Sequence, residues 1–312
     1  MSGPVVVEAI RSDFVESEHL VDVAVVDERG SLIASAGDPA REAAFRSSAK
    51  PLQAGVAREA GWAPADQQGL AIACASHSGE PGHIEAVRAL LEAAGVTEDA
   101  LACPEALPFR AEDVVAAGGP ARIAHNCSGK HAAMLAACRA AGWPLEGYRA
   151  PEHPLQQRIA ARMSSLLGAE PDVLVDGCGA PTFVAPLHAL ARAFASAAGT
   201  PEAAAMSAYP WLVGGTGRAD TDLMRAAPGI VSKGGAEGLV CAAARGITVA
   251  IKARDGGARA CPPALLFVLE QLSLLTPEAA AELSIHREPP VLGGGVPVGA
   301  LRARGTLAFK DR

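Results

Sequence analysis

Residues 20–35 read LVDVAVVDERGSLIAS. Leu20 to Asp27 is an apolar, valine-rich run, Glu28-Arg29-Gly30 is a polar turn ending on glycine, and Ser31 to Ser35 is apolar again. That order reads as strand, turn, strand. Upstream, Val5 to Ile10 is another short apolar run. Near the far end Ile247 to Ala253 alternates as a strand and is turned by Asp255-Gly256-Gly257, and Gly305 to Phe309 returns as a last strand. Helical patterns fill the space between. One covers about Pro51 to Ala60. In Ile84 to Ala94 the apolar residues Ile84, Val87, Leu90 and Leu91 recur at helical spacing and Gly95 stops the run. Lys130 to Ala141 ends at Gly142, and Leu155 to Leu167 ends at Gly168. Val173 to Val175 is short and apolar. Further helices are expected over Thr182 to Ala198, near 201–208 and 219–226, over Glu237 to Ala244, and over Leu265 to Leu275. Strands gathered at the ends with helices in the middle predict a mixed α/β chain of the α+β kind, an antiparallel sheet packed with helices rather than βαβ units. No internal repeat or long linker cuts the chain, so a single domain is expected over 1–312, with a helical subregion about 100–230.

The 312 residues are 50% hydrophobic, enough for a large core. The net charge of −7 is spread along the chain and no Lys/Arg-rich run occurs, which argues against nucleic acid as a partner. No stretch reaches the roughly 20 apolar residues that span a bilayer. The N-terminal MSGPVVVEAIRSDFVESEH lacks the layout of a secretory signal. Seven cysteines, an odd number with no C-x-x-C pair, fit a reducing cytoplasm better than a disulfide framework.

Residues 46–51 read RSSAKP. Positions i and i+3 share a helix face, so Ser47 can meet Lys50 whereas Ser48 points elsewhere. Ser-x-x-Lys at a helix start is a nucleophile arrangement of acyl-serine enzymes. By itself it reads more readily as an N-capping serine beside a surface lysine. Pro51 complicates the helix start, because the residue before proline avoids the α region. Other stretches carry chemistry. ACASHSGE at 73–80 is a polar loop after an apolar segment. HNCSGKH at 125–131 sets Cys127 three residues before Lys130 at the start of a helix, and DGCG at 176–179 offers Asp176 and Cys178. In ITVAIKARDG, Lys252 shares a strand face with residues 248 and 250, where a lysine is costly unless it is paired or functional.

Taken in order, RSSAKP, CASHSGEP, NCSGKH, DGCGAPT and ITVAIKARDG resemble the rhizobial-type (class 3) L-asparaginases, the asparaginase II family, over about residues 4–310. The resemblance implies a serine-β-lactamase/glutaminase-like fold, a homodimer, and hydrolysis of L-asparagine to L-aspartate and ammonia. It implies two Ser-Lys pairs, Ser47 with Lys50 and Ser76 with Lys252, and a zinc site at Cys127, Lys130 and Cys178. Asp176 is implied as a substrate contact, and Arg46 at the head of the first motif is taken as a second. The chain is shorter than some relatives in the 200–230 region, where GGTGRADTDLMR departs from the resemblance, which bears on the pocket edge and substrate choice.

The chemistry demanded of these residues is definite. A serine hydroxyl attacks an amide only after a base takes its proton. A lysine is that base only when neutral, and bringing its ordinary value of about 10.4 to near 7 costs about 4 kcal/mol. Burial and a second nearby cation both act in that direction. Ser47 is the expected nucleophile with Lys50 as base, Ser76 and Lys252 passing the proton on, and backbone N–H groups near Ser47 forming an oxyanion hole; the two serines are interchangeable at this level. Zinc takes thiolates readily and a lysine nitrogen only after deprotonation. The competing functions are a glutaminase or ω-amidase, a penicillin-recognising acyl-serine protein, and a catalytically dead ligand binder. A zinc deaminase is dropped because His83-Ile84-Glu85 is followed by no P-C-x-x-C, and Gly293-Gly294-Gly295 reads as a turn.

Overall fold

The computed structural model describes residues 2–310. It is mixed α+β, as predicted: an antiparallel sheet in one compact unit, helices in a second. The first unit comprises Met1–Ser48, Ala185–Ala198 and Asp222–Arg312; the second comprises Ala49–Val184 and Gly199–Thr221. The helical part thus begins well before the 100–230 span read from the sequence.

In the sheet unit the opening stretch lies at the centre. Strand Phe14–Val26 pairs antiparallel with Val5–Arg11, Leu32–Ala36 and Ile247–Ala253. The main path runs Pro290–Gly293, Val296–Arg304, Val5–Arg11, Phe14–Val26, Ile247–Ala253, Leu239–Ala244, Val231–Gly234. Residues Val21 to Val26 are all buried, which is why that run is apolar at every position but Asp22 instead of alternating. Helix Cys261–Gln271 packs Leu265, Leu266, Val268 and Leu269 into the core with Val23, Val25, Val249 and Ile251.

Two expected helices are strands. Leu239–Ala244 is an inner strand, buried at every position, and its alanines fit because both faces are covered. Pairing on both sides overrides alanine's helix preference. Thr182 to Pro186 belongs to strand Pro181–Pro186, and the helix starts only at Leu187. The strand Val231–Gly234 and the hairpin Pro290–Gly293/Val296–Arg304 were not anticipated.

Asp22 is a fully buried charge on the central strand. Arg254 grips it through two bonds, Nη2 to Oδ1 at 2.7 Å and Nε to Oδ2 at 2.9 Å, Arg41 adds a third, and Asp38 N–H donates to Oδ1 at 2.8 Å. Burial alone would raise its pKa; the Arg254 bond, the Asp38 amide and Arg41 more than offset this and hold it below the usual carboxylate value. The linkage sign follows: this contribution is present above the unfolded-state pKa of about 3.9 and is lost as pH falls through the lower folded value. Asp22→Ala strands two guanidinium groups and is expected to cost about 3–5 kcal/mol in urea denaturation at pH 7, with the difference from wild type shrinking in acid. An equal midpoint for the two proteins at pH 7 would refute that role.

The helical unit centres on Ser128–Ala141, which is buried from Ser128 through Cys138. Around it lie Lys50–Glu59, Gln67–Ala73, Pro81–Ala93 and Pro154–Leu167; Pro201–Ala208 packs on Gln67–Ala73 and Lys50–Glu59, and a hairpin sets Asp172–Val175 against residues 181–184. Small residues let the backbones approach. At Gly129 any Cβ would overlap the carbonyl of Ile72, so the NCSGKH glycine is required by packing.

Candidate active site

The RSSAKP segment begins in strain and ends in a helix. Arg46 has φ of 46°, in the left-handed region that non-glycine residues rarely adopt. Arg46–Ala49 then forms one 3-10 turn, and the α-helix runs Lys50–Glu59 with Pro51 in its first turn. A proline there lacks only an N–H that has no acceptor inside the helix, so Pro51 does not disturb the start. Ser48 is fully buried and donates to the Lys233 carbonyl at 2.8 Å, which occupies it structurally. Ser47 is only half-buried.

Within the helical unit Lys50 is fully buried. Its Nζ donates to Ala75 O at 2.5 Å, to Ser76 Oγ at 3.0 Å and to Asn126 O at 3.3 Å. One side chain thus gathers the CASHSGE loop and the HNCSGKH segment. The loop is held from its other side. Ser76 N–H donates to Val213 O at 2.9 Å, Ser78 Oγ to Gly214 O at 3.0 Å, and Thr216 N–H and Oγ1 donate to the two Glu80 oxygens at 2.8 and 2.7 Å. The GGTG segment is therefore the clamp on the Ser76 loop.

His77 is structural. Its Nδ1 accepts from Gly79 N–H at 3.1 Å, so Nε2 carries the proton and donates to Ser128 Oγ at 2.9 Å, which donates on to Ile123 O at 2.8 Å. Burial, then His83 and Lys50, push its pKa well below that of an ordinary histidine, and it stays neutral.

Cys127, Lys130 and Cys178 are all buried and in mutual contact. Cys127 caps helix Ser128–Ala141, and Lys130 lies one turn on. Asp176 and Cys178 sit on a tight turn closed by Asp176 N–H to Ala180 O at 2.9 Å and Gly179 N–H to Asp176 O at 2.8 Å. Lys130 Nζ donates to Cys178 Sγ at 3.0 Å. The hydrogen bond from Cys178 lowers the pKa of Cys127 well below the ordinary thiol value, against burial and with help from Lys50, His125 and Lys130. The same bond, with burial, raises Cys178. Burial would lower Lys130, but the charges of Cys178 and Cys127 outweigh it and push it up to about 12. The pair therefore parts with one proton readily and keeps the second. Among the described residues no cluster of three His, Cys, Asp or Glu side chains could hold a metal. Two soft sulfurs with an amine at hydrogen-bond distance nevertheless form a donor set that suits zinc once protons are lost.

In the sheet unit Lys252 is half-buried, and its Nζ donates to Glu237 O at 2.5 Å and Ala253 O at 2.7 Å. Burial lowers its pKa. The lysine bonded to Ser76 is Lys50, whereas the resemblance implied Lys252. Lys233 was not singled out in the sequence. It is 1% exposed on Val231–Gly234, its carbonyl accepting from Ser48 Oγ at 2.8 Å and its Nζ donating to the Gly234 carbonyl at 2.8 Å; Lys252 lies two strands further in. The available signal was a lysine among small residues in VSKGG.

A scan of protein-family models matches the L-asparaginase II model over residues 7–303. The chain belongs to the L-asparaginase II family. No curated protein matches it. As a member of the L-asparaginase II family the protein is an L-asparaginase-type amidohydrolase acting on a small molecule. Among the described residues no helix is long and apolar enough to cross a membrane.

Proposed function

We propose that this asparaginase hydrolyses L-asparagine through an acyl-serine intermediate. The observation that carries the reading is the fully buried Lys50 bonded to Ser76 Oγ, at the head of a helix whose preceding turn bears Ser47. Ser47 Oγ attacks the side-chain amide carbon, its proton passing to Lys50. Lys50 and Ser76 carry that proton to the leaving nitrogen, which departs as ammonia. Water, deprotonated by the same pair, then attacks the aspartyl ester and returns Ser47 to the hydroxyl form. Lys233 takes the place of Lys252 as the second lysine of the site. Asp176 is the partner for the substrate's α-ammonium group and Arg46 for its carboxylate. Cys127, Lys130 and Cys178 would hold zinc, which when bound polarises or positions oxygen ligands as a Lewis acid. Cytoplasmic location and a homodimer complete the proposal.

Ammonia release tests it. Purified protein is expected to release ammonia and aspartate in equal amounts from L-asparagine, and much more slowly from L-glutamine. Preference for glutamine would move the assignment to a glutaminase. Metal analysis of the same wild-type preparation beside Cys127→Ala is expected to show zinc in the first only; equal zinc in both would remove the metal proposal.

A further inference from the structure

Glu80 is 4% exposed, and no step of the acyl-serine chemistry uses its carboxylate. Three donors converge on it. Thr216 N–H reaches Oε1 at 2.8 Å, Thr216 Oγ1 reaches Oε2 at 2.7 Å, and Arg110 Nη1 reaches Oε2 at 2.9 Å. Burial alone would raise its pKa; the two bonds from Thr216 and the one from Arg110 outweigh this and keep it below the usual carboxylate value. Bonds to an ionised acceptor are the strong ones, so the carboxylate grips both segments firmly.

The bonds around Glu80 close into a ring. Glu80 N–H donates to His83 Nδ1 at 3.2 Å, so the His83 proton is on Nε2, which donates to Trp211 O at 2.9 Å. Trp211 Nε1 donates to Thr216 Oγ1 at 3.1 Å, and that hydroxyl donates back to Glu80. All four bonds run in one sense, and bonds chained in this way strengthen one another. The His83 ring stacks on Trp211 with centroids 4.1 Å apart. There is no slack in the packing. A Cβ on Gly215 would lie 2.5 Å from Glu80 Oε1 and 2.6 Å from Ser78 Oγ, and one on Gly82 would lie 2.8 Å from the Trp211 ring.

The ring fastens one end of the 76–80 loop to segment 213–216. The other end is fastened to the same segment by Ser76 N–H to Val213 O at 2.9 Å, with Ser78 Oγ to Gly214 O at 3.0 Å between them. Two short segments joined at three points make a frame, and the Ser76 hydroxyl, 3.0 Å from Lys50 Nζ, is mounted on it. A misplacement of about 1 Å at a group in the chemistry can cost about 10²-fold in rate. We propose that Glu80 is a positioning residue for Ser76: through Thr216 it locks the 76–80 loop to segment 213–216 and so holds the Ser76 hydroxyl against Lys50. This rests on Ser76 working with Lys50 in the proton transfers proposed above.

The test is a double-mutant cycle on ammonia release from L-asparagine, with kcat and KM read separately on variants that circular dichroism shows folded. Glu80→Gln keeps the size of the side chain but sets an NH2 group among donors. It is expected to lower kcat about 10–100-fold with KM within about threefold, and Ser76→Ala to lower kcat at least as much. In the Ser76→Ala background Glu80→Gln is expected to take away less than about a further twofold, because it acts through Ser76. Thr216→Val removes only the hydroxyl bonds and is expected to lower kcat in the same direction, with Thr216→Ser restoring it; if Glu80→Gln does not fold, the cycle is run with Thr216→Val. Wild-type kcat in Glu80→Gln and Thr216→Val beside an impaired Ser76→Ala overturns the role of Glu80 and leaves that of Ser76 standing. Wild-type kcat in Ser76→Ala overturns both. Losses that multiply in the double variant would show that Glu80 acts independently of Ser76, and also overturn the proposal.

Discussion

Lys50→Met is expected to lower kcat for ammonia release from L-asparagine by about 10²–10⁴-fold, the range set by removing a general base. The side chain is fully buried, its three acceptors come from two separate loops, and Ser76 is one of them. Methionine keeps the length and apolar stem but neither takes a proton nor holds the Ser76 hydroxyl. Some stability is lost too, because the carbonyls of Ala75 and Asn126 lose a donor. The activity loss must therefore be read at a temperature where circular dichroism shows the variant folded. A folded variant within tenfold of wild type would exclude Lys50 as the base.

The second large effect separates two lysines. Lys233→Ala is expected to reduce kcat/KM by about 10²–10³-fold, Lys252→Ala by less than about tenfold. Lys233 is 1% exposed on the strand whose backbone accepts from Ser48 Oγ, with its own Nζ on the Gly234 carbonyl at 2.8 Å, whereas Lys252 is half-buried two strands away with its Nζ on the carbonyls of Glu237 and Ala253. In that position Lys252 holds the Glu237 turn, where φ is 58°. Its loss should appear mainly in Tm. The reverse ranking in kcat/KM would restore Lys252 to the chemistry.

The same comparison shows what the sequence could reveal. The central strand was legible because Leu20 to Val26 is apolar apart from Asp22 and leads into a turn with glycine, and helix stops were legible where Gly95, Gly142 and Gly168 end an apolar period. Leu239–Ala244 was not, since LVCAAA has no period of its own and only pairing on both sides makes it a strand. With LVCAAA read as a helix, residues 231–234 had no strand to pair with, and Lys233 was not singled out. The spacing of Ser47 and Lys50 was legible because that motif is local, whereas the grouping of Cys127, Lys130 and Cys178 came only from the resemblance, since Cys178 lies 48 residues beyond Lys130. The bond from Lys50 to Ser76 spans 26 residues and depends on how Lys50–Glu59 meets the end of Gln67–Ala73, which no spacing encodes. The strain at Arg46 is likewise invisible in its residue type.

The central claim is that Ser47 forms the acyl-enzyme. Its most direct test is the rate of ammonia release from L-asparagine by Ser47→Ala, with Ser48→Ala measured beside it. The account predicts a loss of at least about 10³-fold for Ser47→Ala and a much smaller change for Ser48→Ala, whose hydroxyl is bonded to the Lys233 carbonyl. Wild-type release by Ser47→Ala would contradict it.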